Sequence, residues 1–284
     1  MIWYLLIALL LVCLVVGYQF WAQNSLSSET EVIYVPADAP ADLPERITVI
    51  SDLHNHRFGK NNERLFACID AQAPQLVLIP GDLVIGSGGM YDSAEELLHG
   101  LSARGIPTYI SLGNHEIGFR AKRPEEYAAF LQRIAAPNVH VLDNETCFPS
   151  SGYCISGLTL PPECYTKRGR DMALTEEGIA QVVPRPEGRF QILLAHTPYY
   201  FPAYCAYGAE LTVAGHVHGG IIRLPFIGGV ISPQMELFPK HDAGVFQSGS
   251  VQMVVSRGLG THFPPLRVYN RPQVLLLRLD RKER

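Results

Sequence analysis

Two histidines separated by one residue stand between glycines in GHVHGG, residues 215–220. Four other short polar clusters occur earlier in the chain: SDLH at 51–54, GDL at 81–83, GNHE at 113–116 and AHTP at 195–198. Together the five clusters offer carboxylate, amide and imidazole groups and no thiolate. Oxygen and nitrogen ligands of this kind suit Zn, Mn or Fe better than a structural zinc site built from cysteines.

Each polar cluster directly follows an apolar run that suits a buried strand. The predicted strands are 47–51, 75–80, 107–112, 139–143, 153–158, 190–195, 210–215, 252–257 and 273–279. Because the carboxyl ends of strands line one crevice in open α/β sheets, we expect the five clusters to converge. A single histidine such as His196 is better explained as a hydrogen-bonded loop residue, but core packing does not explain five strand ends with the same class of ligand.

Helical patterns between the early strands indicate the fold class. Helices are predicted near 61–72, 93–103 and 124–135. The second opens with Ser93 and Glu96 at capping-box spacing, and the third has Pro124 in a first-turn position. Alternating strands and helices followed by a strand-richer second half predict an α/β layered core.

The amino-terminal run is long enough to cross a bilayer. Residues 1–23 carry no charged side chain, and the first charge is Glu29. Aromatic residues flank the run as interfacial residues would. The alternatives are a cleaved signal peptide, for which a basic start and a small-x-small cleavage site are not evident, and a buried soluble helix, which the flanking aromatic residues disfavour. We therefore predict a single-pass membrane anchor over 1–23.

The segment that follows the anchor is rich in Ser, Pro and Asp, so we interpret residues 24–45 as a linker and 46–284 as the catalytic domain. The positive-inside rule has almost nothing to count, because no Lys or Arg precedes Arg46. Acidic residues such as Glu29 and Glu31 favour a catalytic domain outside the cytoplasm.

Composition excludes one class of partner. The formal net charge is -4 with 18% charged residues, and no run of lysines and arginines is present, so nucleic acid is not an expected partner. The chain has six cysteines. Cys147 and Cys154 could pair in an oxidising compartment, but free thiols are the favoured interpretation.

The order DLH, GD, GNHE, H, GHVH over about 45–280 resembles the calcineurin-like metallophosphoesterase superfamily. This resemblance implies an α/β/β/α four-layer sandwich and two divalent metal ions. It also implies His115 as the catalytic residue, in contact with the substrate phosphate or leaving oxygen. Matching positions give the ligands of one metal as Asp52, His54, Asp82 and His218, and those of the other as Asp82, Asn114, His196 and His216.

The implied chemistry is the hydrolysis of a phosphoester. Two ions held about 3.5–4 Å apart acidify a shared water into hydroxide and neutralise the phosphate oxygens. A bridging carboxylate such as Asp82 holds the ions together, and an uncharged ligand such as Asn114 leaves the site positive enough for an anion.

Within the superfamily the chain is similar to a bacterial anchored or exported group typified by YkuE and YaeI. The similarity is carried by GHVHGG with RLPFIGG at 223–229, by FPKHDAG at 238–244 and by SRGLG at 256–260. Two departures are Ile85, where relatives often carry Asp, and Ile221, where Gln is common.

The substrate implied is a phosphorylated small molecule or a lipid or cell-envelope phosphate. The alternatives are a lipid-linked pyrophosphatase of the UDP-diacylglucosamine type and, with least support, a non-catalytic scaffold. Arg257 and Arg267 are candidate phosphate or head-group contacts, and His241 and His262 are candidate rim residues, although ordinary ion pairs and core or surface histidines explain these residues as well.

Overall fold

Two six-stranded sheets form the middle of the protein. The computed structural model describes residues 2–166, 173–261 and 265–282. The strands are β1 Ser27–Val35, β2 Arg46–Val49, β3 Leu76–Pro80, β4 Thr108–Ser111, β5 Val139–Leu142, β6 Glu145–Cys147, β7 Tyr153–Leu158, β8 Phe190–Ala195, β9 Leu211–Ala214, β10 Ile222–Leu224, β11 Gly228–Ile231, β12 Gly244–Ser248, β13 Val251–Val255 and β14 Gln273–Arg281. The helices are α1 Ile2–Asn24, α2 Glu63–Gln72, α3 Asp92–Ala103, α4 Asn114–Lys122, α5 Pro124–Ile134, α6 Glu176–Val182 and α7 Phe201–Tyr207.

Each of the two large sheets contains a run of four parallel strands. The first sheet has the order β1-β14-β2-β3-β4-β5, in which β2 to β5 are parallel and β14 runs against β2. The second has the order β12-β13-β9-β8-β7-β6, with four parallel strands between antiparallel edges. A small antiparallel pair, β10 and β11, lies apart from both.

Alternation along the strands creates the layers, because successive side chains of a strand point to opposite faces. In β3, Leu78 packs into the core between the two sheets, where Leu194 of β8 also lies. Its neighbour Ile79 packs with the buried faces of α2, α3 and α5. Leu193 faces the other way, in a cluster with α6 and α7. The predicted four-layer α/β/β/α sandwich is therefore confirmed.

The predicted strands and helices are all present, with ends shifted by a few residues at most. Pro124 is the first residue of α5, as expected. The predicted capping box at Ser93 is wrong: α3 begins at Asp92, and the Ser93 hydroxyl donates to the His56 carbonyl instead. All six cysteines are free.

Residues 24–45 are more than a linker, which corrects the predicted domain boundary. Residues 27–35 form β1, which pairs in parallel with β14 at the edge of the first sheet. Ile33 and Val35 are buried, and the Glu29 carboxylate accepts hydrogen bonds from the Arg257 guanidinium. The stretch TEVIYV is rich in β-branched residues, which favour a strand. The Ser, Pro and Asp residues around it led to the linker interpretation instead.

The amino-terminal helix α1 extends away from the sandwich. Its side chains up to Gly17 are exposed, while its last turns contact the body of the protein. Among the described residues it is the one helix long and apolar enough to cross a membrane, a property that a signal sequence near the amino terminus shares.

Candidate metal centre

The five polar clusters meet where the two sheets present their strand ends. Asp52 and His54 follow β2, Asp82 follows β3, and Asn114 begins α4 after β4. The second sheet contributes three residues that follow β8 and β9, namely His196, His216 and His218. All the predicted ligand side chains lie in this one region, and the Asp and His ligands among them are buried.

Unusual backbone conformations aim these side chains inward. Asp52, His54, Asp82, His216 and His218 all have left-handed φ values, between 46° and 70°. Residues other than glycine adopt this region rarely, and such strain concentrates at functional sites.

Glycine permits the closest approach of the two clusters that follow β3 and β4. A Cβ atom at Gly113 would collide with the carboxylate of Asp82. The carboxylate can therefore reach the start of α4, where Asp82 Oδ1 accepts a hydrogen bond from the His115 amide at 2.9 Å.

The ligand side chains form two groups that meet at Asp82. In the first, Asp52, His54 and His218 bring ligand atoms within 4.8 Å of one another, and the Nε2 atoms of the two histidines are 3.1 Å apart. In the second, Asp82, His196 and His216 do the same. Asp82 lies between the groups, since its Oδ2 is 3.0 Å from His196 Nε2 and 3.9 Å from His54 Nε2.

Hydrogen bonding at His196 indicates that a cation belongs here. The ring Nδ1 lies 2.6 Å from the Pro80 carbonyl, which can only accept a hydrogen bond. A neutral ring therefore keeps its proton on Nδ1, and Nε2 turns a lone pair toward the Asp82 carboxylate. Two acceptors 3.0 Å apart need a positive charge between them. Asn114 Oδ1 is buried and has no hydrogen-bond partner among the described residues, so the ligand set fits divalent metals.

The electrostatic interactions among these side chains agree with this geometry. Burial opposes the charged form of His196, but the carboxylate of Asp82 outweighs it and raises the pKa of the ring to about 9. Burial also acts against the charged form of Asp82, yet His196 and His115 hold the pKa of this carboxyl well below its usual range. Burial raises the pKa of Asp52 to about 6. A proton on His196 thus stands where a metal ion would bind.

His115 is placed at the edge of this centre with one nitrogen directed inward. The Gly86 amide donates to Nδ1 at 2.7 Å, so a neutral ring carries its proton on Nε2. Nε2 lies 3.9 Å from Asp82 Oδ2, and the side chain remains partly exposed. An imidazole N–H that faces the centre can donate to a phosphate oxygen or to a leaving group. Gly86, whose amide makes this contact, directly follows Ile85.

Three residues that support the centre were missed by sequence reasoning. The buried carboxylate of Glu116 accepts hydrogen bonds from the amides of Asp82, Val84 and Gly113. Glu116 stands directly after His115 in GNHE, so its position was a usable signal. Asn270 donates to the carbonyl of His218 at 2.7 Å.

Gln234, the third of these residues, comes from a distant loop. Its Nε2 lies 3.1 Å from Nε2 of His216, and its Oε1 accepts a hydrogen bond from the Tyr199 hydroxyl. No local sequence signal marks Gln234, because the contact depends on the path of the loop that follows β11.

The two predicted substrate-binding arginines have other partners. Arg267 is fully buried, and its guanidinium donates to backbone carbonyls that include those of Gly258 and Gly260. Arg257 forms a two-pronged ion pair with Glu29. The hypothesis that these arginines bind substrate is therefore not supported. Of the candidate rim histidines, His241 packs edge-on against Phe201 and Phe246, and His262 lies outside the described residues.

Replacing Arg267 with methionine separates a structural role from substrate binding. The change leaves buried carbonyls of the 257–260 loop without donors, so we expect the free energy of unfolding to fall by about 2–4 kcal/mol. The KM for p-nitrophenyl phosphate should stay within about twofold in the folded protein, because no contact to substrate is lost. Urea unfolding and steady-state kinetics measure the two effects.

The matched control for this experiment is Arg278→Met, which removes an exposed arginine paired with Asp280. Exposed ion pairs contribute little to stability, so this variant should resemble the parent protein. A raised KM with unchanged stability in Arg267→Met would return Arg267 to the substrate site.

Several known proteins are similar to this chain. The chain is 38% identical over 90 residues to the metallophosphoesterase YkuE of Bacillus subtilis, a match covering 32% of this chain and 31% of that protein. It is 24% identical over 239 residues to the phosphodiesterase YaeI of Escherichia coli, covering 83% and 82% of the two chains. A solved dimetal phosphatase from Danio rerio aligns with a TM-score of 0.38 and 11% identity, over 76% of this chain and 88% of that one. The family model for calcineurin-like phosphoesterases matches residues 45–220, and the chain belongs to this family of metal-dependent phosphoester hydrolases.

Proposed function

We propose that this protein is a membrane-anchored phosphoesterase that binds two metals around Asp82. The observation that supports the proposal best is the position of the Asp82 carboxylate between two groups of buried ligands. In this proposal Asp52, His54 and His218 hold one ion with Asp82. Asn114, His196 and His216 hold the other, also with Asp82.

The two metal ions, when bound, would supply the charge that activates water and neutralises a phosphate group. The protein residues prepare the site for this chemistry. His115 donates its Nε2 proton, as a hydrogen bond or in full, to an oxygen of the phosphoester. Glu116 fixes the loop of Asp82 against the start of α4, and Asn270 fixes the backbone of His218.

The anchor in this proposal is α1. Its apolar and exposed surface would be stable in a bilayer and unfavourable in water. We place the catalytic domain outside the cytoplasm, on the basis of the acidic segment after the helix. The substrate would then be a phosphorylated small molecule or lipid, or another cell-envelope phosphate.

The first experiment measures metal content and hydrolysis with the full chain in detergent. We expect about two metal ions per chain, and Mn-dependent hydrolysis of bis-p-nitrophenyl phosphate or p-nitrophenyl phosphate. Asn114→Ala should lower both the metal content and the rate, whereas Asn138→Ala, outside the centre, should lower neither. A chain that binds no metal and is inactive with every metal tested would favour the non-catalytic scaffold.

Substrate class requires a separate comparison. The metal-loaded protein is tested on vesicles that contain a phosphate-bearing lipid, and on a lipid-linked pyrophosphate of the UDP-diacylglucosamine type. Preferential turnover of the second substrate would replace the phosphoesterase proposal by the pyrophosphatase alternative. Turnover of the soluble esters alone would remove the lipid substrate.

A further inference from the structure

Large exposed apolar side chains lie on segments that contact the metal centre, because Gln234 reaches His216 and Asn270 donates to the His218 carbonyl. We call this set the apolar rim, and its members are Leu224, Phe226, Ile227, Met235, Leu237, Phe238, Leu266 and Tyr269. Phe226 is completely exposed, and Tyr269 is 73% exposed. Soluble monomers rarely present so much contiguous apolar surface without a partner.

Backbone pairing makes the rim continuous. The β10–β11 hairpin carries Leu224, Phe226 and Ile227 at its tip. On one side of the hairpin, the Arg223 amide donates to the Val268 carbonyl at 3.0 Å. On its other side, the Phe238 amide donates to the Val230 carbonyl at 2.9 Å. The three segments therefore lie side by side, and their exposed side chains belong to one surface.

The conformation of the rim is costly. Phe226, Met235, Phe238 and Tyr269 have left-handed φ values between 49° and 66°. Glycine or asparagine normally occupies such positions. A bulky side chain that points into water does not repay this strain through packing within the protein, so an external contact is the better explanation.

Helix α1 is bonded to the same surface. The Tyr18 hydroxyl accepts a hydrogen bond from the Tyr269 amide at 2.9 Å, and Gln19 Oε1 accepts one from the Arg267 amide at 3.0 Å. The Gln23 side chain donates to the Pro265 carbonyl at 2.7 Å. The last turns of the helix therefore lie against the loop that carries Leu266 and Tyr269.

The length of α1 determines where these contacts lie relative to a bilayer that the helix would span. At about 1.5 Å per residue, the exposed apolar stretch from Ile2 to Gly17 is roughly 24 Å long, and the helix reaches about 30 Å near Trp21. The hydrocarbon core of a bilayer is about 30 Å thick. Tyr18 and Trp21 therefore fall at the membrane–water boundary, where aromatic side chains accumulate. Tyr269 contacts Tyr18 at that level.

We infer that the apolar rim docks on the surface of the same bilayer that α1 spans. This inference rests on the anchoring given in the proposed function. The loop that exposes Met235, Leu237 and Phe238 also places Gln234 against the ligand His216. A docked rim therefore holds the metal centre next to the lipid headgroups, and selects phosphates presented by the membrane surface.

The test uses the full chain in proteoliposomes and a single tryptophan as a depth probe. The native residues are first removed as Trp3→Phe and Trp21→Phe. Phe226→Trp then reports on the rim. Phe148→Trp is the matched control, because Phe148 is also exposed and lies with Arg189, near the opposite ends of the strands. Fluorescence is compared in vesicles with and without brominated phosphatidylcholine, and flotation in a density gradient reports anchoring.

We expect the tryptophan at 226 to lose fluorescence in brominated vesicles and the one at 148 to keep it. If the chain floats but neither probe is quenched, anchoring stands and docking is rejected. A blue-shifted probe at 226 that bromine does not quench would mean that protein, such as a second copy, covers the rim. A chain that does not float removes the anchor and the docking together. None of these readouts depends on hydrolysis, so failure of the phosphoesterase proposal is seen separately.

Discussion

Replacing Asp82 with asparagine should remove metal from both ligand groups and lower kcat/KM by more than about 100-fold. We take this lower bound from residues that only support a metal ligand, since losing one of them costs about 10–100-fold in metal affinity or activity. Loss of a ligand itself should cost more. Asp82 contacts His196 directly and lies near His54, so its carboxylate belongs to both groups. Metal analysis and hydrolysis of bis-p-nitrophenyl phosphate measure the two losses.

Asp70→Asn is the control for this change. Asp70 makes an exposed ion pair with Arg104 on the outer helices, so its loss should leave activity intact. If Asp82→Asn kept both metals and most of the activity, the bridging role of Asp82 would be wrong.

A soluble chain that begins at residue 46 should be much less stable than one that begins at residue 25. The shorter chain lacks β1 and the burial of Ile33 and Val35, worth about 1.5–3 kcal/mol for each side chain. It also leaves Arg257 without its Glu29 partner. We expect a thermal midpoint lower by about 10 °C or more, and aggregation through the unpaired edge of β14.

Glu29→Gln in the longer chain separates the ion pair from the strand. This variant keeps β1 and should lose only a small part of the stability, because the pair is partly exposed. Equal thermal midpoints for the chains beginning at 25 and at 46 would restore the linker interpretation of residues 24–45.

The sequence predicted those parts of the molecule that depend on local pattern. Continuous apolar runs marked the central strands of both sheets, and polar residues after them marked the candidate ligands. Asp82 and His216 follow strands of different sheets, and they could be assigned to one centre because both stand at the carboxyl end of a strand and match the same family pattern of metal ligands. The left-handed backbone at these positions was not visible in the sequence, since neither residue is a glycine.

Long-range pairing was harder to predict. β1 pairs with β14, more than 230 residues away, and its composition resembles that of a tether. Arg267 is charged, which suggested a phosphate contact, yet the folded chain buries it among carbonyls. Burial of a charged side chain depends on the loops that enclose it, and these are set by the whole fold. Ser93 does not cap α3 as expected, because its hydroxyl donates to the His56 carbonyl instead. This contact also depends on loops that the whole fold brings together.

The junction between α1 and β1 has a consequence for how the proposed enzyme finds its substrate. Only Ser25 and Leu26 separate the helix from the strand, and the Arg271 guanidinium donates to the carbonyls of both. A catalytic body joined this closely has no tether on which to swing into the surrounding fluid. For a lipid substrate, the search of the anchored protein would be two-dimensional, by lateral diffusion, and its rate should follow the mole fraction of substrate in the membrane rather than the bulk concentration.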